Sequence, residues 1–104
     1  MGSVEPAEQA EPVDTIDKIV RAVPGVADLH SGMFGEIATH LAGRKVAGVR
    51  IGDDAIDVHI TAWTGTPVRD TAAAVRAAVA AEFPDFAVDV TVEAVALKPQ
   101  SGTD

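Results

Sequence analysis

From Lys45 to Val95 the chain alternates apolar and polar positions, switches to a helical period, and alternates again. Val49 and Ile51 lead into Gly52-Asp53-Asp54, after which Ile56, Val58, Ile60 and Ala62 point one way and Asp57, His59, Thr61 and Trp63 the other. Successive side chains of a strand project to opposite faces, so this pattern predicts a β-hairpin with one buried face. After Gly65-Thr66, Pro67 suits the first position of a helix, where its missing amide is not needed. Val68, Ala72, Val75, Val79 and Phe83 make the apolar stripe of that helix. Its other alanines raise intrinsic helix stability and leave a smooth surface for close approach to strands or to a second copy. Pro84 ends it, and Val88, Val90 and Val92 alternate with Asp89, Thr91 and Glu93 in a last strand whose inward face matches the hairpin's.

Upstream, Ile16, Ile19, Val20 and Val23 recur at the spacing of one helical face, with Asp14 as the expected cap and Pro24-Gly25 as the stop. Val26 to Leu29 reads as a short strand. Phe34 to Leu41 fits both a helical stripe and an alternating strand; its β-branched residues and the early stop at Gly43 favour the strand. The expected fold is a small single α+β domain. It has an antiparallel or mixed sheet of three to four strands, two helices packed on one face, and the order α-β-β-β-β-α-β. Residues 1–12, with Glu5, Glu8, Glu11, Pro6 and Pro12, read as a disordered acidic tail, residues 13–97 as the folded domain, and residues 98–104 as a second loose tail.

Charge narrows the partners. Sixteen acidic against eight basic residues give a net charge of −8, which repels phosphate backbones and anionic headgroups. The absence of cysteine excludes disulfides and thiolate metal sites and fits a reducing cytosol. No apolar run approaches the roughly 20 residues that cross a bilayer, and the first twelve residues lack the features of a leader, so a soluble, unsecreted protein is expected. A domain this small leaves roughly 35–40% of its unfolded surface exposed, which adds value to self-association.

Candidate chemistry is sparse. His30, His40 and His59 follow no ligand spacing, and Asp53-Asp54 fits a hairpin turn better than a calcium loop, which needs further oxygens at fixed offsets. Ser31 lacks a nucleophile-elbow context. No catalytic, cofactor-binding or metal-binding residue is assigned, and no cofactor is expected. The concentrated positive stretch Arg44, Lys45 and Arg50, with Trp63 on the outward strand face, is the candidate interaction surface, suited to acidic protein surfaces or stacked bases.

The series Gly25-Val26, Gly35-Glu36-Ile37-Ala38-Thr39-His40-Leu41, Gly43-Arg44-Lys45-Val46-Ala47-Gly48-Val49-Arg50-Ile51, Thr64-Gly65-Thr66-Pro67-Val68 and Val88-Asp89-Val90-Thr91-Val92 resembles the alkaline shock protein family of envelope stress response proteins. The likeness runs from Val13 to Leu97 and is strongest to the short actinobacterial members. It implies a bacterial, cytoplasmic, non-enzymatic α+β protein that works by protein–protein contacts, self-associates, and gathers at the membrane through a membrane-anchored partner rather than by insertion. No catalytic residue carries over. The alternative is a small KH-like RNA-binding module, which shares helices on one side of a three-stranded sheet. That reading needs a Gly-x-x-Gly loop between helices, whereas Gly32-Met33-Phe34-Gly35 follows no recognisable helix, and the acidic balance disfavours nucleic acid. A metal-carrying ferredoxin-like domain would need the Cys-x-x-Cys loop this chain lacks.

Overall fold

The computed structural model describes residues 11–99, so most of both expected tails, 1–12 and 98–104, lies outside the described residues. In chain order the elements are α1 (Pro12–Arg21), β1 (Val26–Leu29), β2 (Ala38–Leu41), β3 (Arg44–Ala47), β4 (Val49–Ile51), β5 (Ala55–Trp63), α2 (Val68–Glu82) and β6 (Ala87–Ala96). The α+β order expected from the sequence is present, with the run from Arg44 to Ile51 divided in two at Gly48. Pro12, read from sequence as tail, opens α1, because a proline at the first helical position sacrifices no hydrogen bond. The cap position is Glu11 rather than Asp14, which sits in the first turn with its carboxylate turned to another partner.

Strand β5 is the axis of the main sheet. The β4–β5 hairpin is antiparallel, with Val49 opposite Val58 and Ile51 opposite Ile56, closed by the Gly52 amide donating to the Ala55 carbonyl at 2.8 Å. Strand β1 runs antiparallel to the far half of β5, with Leu29 opposite Ile60 and Val26 opposite Ala62. These two short strands lie end to end along one edge of β5. The other edge is taken by β6, parallel to β5 along its whole length and slipped by one residue between Ile60 and Thr61. A parallel neighbour requires a crossover, and α2 supplies it. Strands β2 and β3 form a separate two-stranded ribbon.

Gly48 makes the end-to-end arrangement possible. Its amide donates to Ile37 (2.7 Å), its carbonyl accepts from His59 (2.8 Å), and the His59 carbonyl accepts from the His30 amide (2.8 Å), so the two edge strands meet there. With φ at 84°, a Cβ on Gly48 would lie 2.7 Å from Leu29 Cβ and 2.9 Å from the His59 carbonyl oxygen, space only glycine leaves free.

Both helices cover the same sheet face. Val13, Ile16 and Val20 of α1, Val75 and Val79 of α2, Val49 of β4, and Ile56, Val58 and Ile60 of β5 form one buried cluster. The α2 stripe differs at its start from the sequence reading: Val68 is exposed and Thr71 buried instead. The reason is a close approach to the chain before β1, where a Cβ at Gly25 would stand 2.5 Å from Thr71 Oγ1.

Candidate functional site

The opposite sheet face carries no helix. Alternation along β5 places Asp57, His59, Thr61 and Trp63 there, all half-buried. In-register neighbours add Arg50 from β4, Asp28 from β1, and Asp89 and Thr91 from β6. Glu93, at the slip in β6, reaches His59, with Nδ1 and Oε2 2.5 Å apart. The row Arg50, Asp57, Asp89 crosses three strands at one level, with two carboxylates side by side on the outer pair.

Where β5 ends, Trp63 and Thr61 form one wall of an open groove of about 510 Å³, completed by Asp28, His30, Ser31 and Ala96. Two of the polar wall residues, Asp28 and His30, are fixed by side-chain hydrogen bonds. Asp28 Oδ1 accepts from Arg21 Nη1 and from the Leu29 amide, both at 2.8 Å. His30 Nδ1 accepts from the Gly32 amide at 2.9 Å, leaving Nε2 to carry the proton of the neutral ring. Beside the groove, Gly32-Met33-Phe34-Gly35 is a turn closed by the Gly35 amide on the Gly32 carbonyl (3.1 Å), and its tip exposes Met33 (82%) and Phe34 (85%).

The structure does not gather Arg44, Lys45, Arg50 and Trp63 into one patch. Arg44 makes a two-pronged bond to Asp14, Nη1 to Oδ1 at 3.0 Å and Nη2 to Oδ2 at 2.8 Å, tying the ribbon to α1. That hydrogen bond holds the Asp14 carboxyl below its ordinary value and raises the Arg44 guanidinium above its own. Lys45 is exposed opposite His40 in the ribbon, and adjacent strand residues face opposite ways, so Arg44 and Lys45 diverge. Arg50 donates from Nη2 to the Glu36 carbonyl at 3.1 Å. It stands level with Asp57, at the other end of β5 from Trp63, roughly 20 Å away at about 3.3 Å per residue. In the sequence His30 and Ser31 are weighed only as metal ligand and nucleophile, and Asp28 is passed over; strand pairing alone brings the three to Trp63, and no local spacing marks that grouping.

Among the described residues no three or more His, Asp or Glu side chains converge as a metal cage. His59 is paired with Glu93 and His40 stands on the ribbon. Among the described residues no helix is long and apolar enough to cross a membrane.

No family model matches the chain, and no curated protein matches it. Solved structures of MamM CTD do. A methionine-to-leucine variant is 21% identical and aligns over 86% of this chain and 99% of its own, with a TM-score of 0.54. A histidine-to-glutamate variant is 20% identical over 85% and 96%, with a TM-score of 0.55. The copper form is 18% identical over 89% of each chain, with a TM-score of 0.54. The likeness establishes a shared α+β fold.

Proposed function

We propose that this chain is a non-catalytic interaction module of the envelope stress type its sequence resembles, a cytoplasmic adaptor that works by protein–protein contact and brings a membrane-anchored partner into an assembly. The observation that carries the reading is the one-sided sheet. Two helices complete a core on one face, while the other face keeps a groove walled by Trp63, and an exposed Met33-Phe34 turn stands beside it. Half-buried aromatics and exposed apolar tips are the side chains that anchor protein interfaces. The fold shared with MamM CTD is compatible with such a role. The copper of one MamM CTD form is not carried over, since this chain has no cysteine and its His30, His40 and His59 do not converge. The RNA-binding alternative loses ground because the Gly-x-x-Gly turn joins two strands rather than two helices, and Arg44 is committed to Asp14.

The test is affinity capture from a native bacterial lysate with the membrane fraction solubilised, run with and without nuclease. Recovery of one specific envelope protein in both samples is the expected result. Recovery that vanishes with nuclease would replace the adaptor by an RNA-binding module.

A further inference from the structure

The outer edge of β6 pairs with no strand among the described residues. Its backbone orientation follows from the hydrogen bonds at its ends. The Ala87 amide donates to Asp54 (2.9 Å) and the Ala96 carbonyl accepts from Thr64 (2.7 Å), both towards β5. Backbone groups alternate sides along a strand as far as the slip after Val92, so Ala87, Asp89 and Thr91 turn theirs to β5 while Val88, Val90 and Val92 turn theirs outward; beyond the slip the parity changes, and Ala94 and Ala96 face β5. The result is an edge whose regular row of free donors and acceptors runs from Val88 to Val92, ahead of the slip. Natural sheets guard such edges with lysine, proline or a cover. This strand has neither lysine nor proline, and its guard is acidic.

That acidity selects the occupant. Across the open face the row Arg50, Asp57, Asp89 ends on two adjacent carboxylates, and Asp89 has no cationic partner among the described residues. A cation on the next strand would complete the row. On the inner face Val90 and Val92 are half-buried at the flank of the core, which asks for apolar side chains at the intervening positions. A second copy fits poorly: its β6 carries Asp89 and Glu93 and no basic residue, so no register supplies the missing cation, and the one centred on Thr91 sets Asp89 opposite Glu93. The chain's own residues 1–10 carry Glu5 and Glu8 and no basic side chain, and so fit no better.

We infer that β6 accepts an extended partner segment of alternating basic and apolar residues, added as a further strand with its cations beside Asp89 and Glu93. The inference rests on the interaction-module reading and gives the partner its chemistry.

The probe is a synthetic peptide of alternating lysine and valine, followed by amide hydrogen exchange on the whole chain. At saturation, exchange at Val88, Val90 and Val92 slows at least about tenfold, while a peptide N-methylated at alternate positions has no such effect. Asp89→Lys weakens binding roughly fivefold to tenfold, the size of a cross-strand charge pair lost and reversed. Val90→Pro removes an outward amide that β5 does not use, so it abolishes addition while the melting curve stays cooperative. Equal binding of the N-methylated peptide, or protection elsewhere, overturns the proposal. So does a dimer that already protects these amides without peptide. The two readings fail separately: lysate capture undiminished by Val90→Pro keeps the adaptor and removes the edge, and peptide addition without any capture does the reverse.

Discussion

At Gly48 one residue decides how the chain is divided. Lys45 to Ile51 reads locally as one strand, but the backbone at Gly48 must pass within contact of Leu29 and His59 while adopting φ of 84°. Gly48→Ala introduces both a left-handed strain and a steric overlap, each costing about 1–3 kcal/mol, so a loss of about 2–6 kcal/mol in chemical denaturation is expected. A loss below about 0.5 kcal/mol would mean that β1 and β4 do not meet at this residue. The break was not legible in the sequence for the same reason that Asp14 misled as a cap. The Leu29 side chain constrains Gly48 and Arg44 captures Asp14 from distant parts of the chain, and local pattern carries neither contact. Trp63 was placed on the outward face because alternation alone fixes that; its companions in the groove depend on pairing.

Strand β5 contacts β1, β4 and β6, and its inward row meets both helices, so a defect there is felt throughout the sheet. Val58 has no exposed surface. Val58→Asp would leave an uncompensated carboxylate in that core, and a destabilisation of at least about 3 kcal/mol is expected from thermal melting, with loss of the cooperative transition if the domain is marginal. An unchanged melt would reverse the assignment of faces. The sequence made β5, α2 and β6 legible because each keeps a clean period against a single buried side. It marked the strand character of Ala38 to Leu41 less sharply, since that segment belongs to a ribbon whose Leu41 and Val46 only rest against the core. Periodicity does not distinguish parallel from antiparallel pairing, and β6 is parallel because a helix separates it from its neighbour.

On the scale of the whole molecule, a net charge of −8 opposes a few surface ion pairs. The Asp14–Arg44 and Asp17–Arg21–Asp28 contacts are exposed, and water and salt screen such pairs so that each adds little to stability. Repulsion among the excess carboxylates acts over longer distances, so screening removes more repulsion than attraction. Raising sodium chloride from about 0.01 M to about 0.1 M shortens the Debye length from about 30 Å to about 10 Å and should raise the melting temperature of the free chain. Chloride is the informative anion, because sulfate would favour burial whatever the charge distribution. A melting temperature that falls with salt would show the ion pairs outweighing the repulsion, and Arg44→Ala would then remove much of the fall. The same carboxylates act with opposite sign on the lysine-valine peptide at β6, whose binding should weaken over the salt range that stabilises the free domain. Opposite salt dependences of folding and of peptide binding would both follow from the excess of carboxylates, with Asp89 at the edge of the open face as the residue on which the second depends.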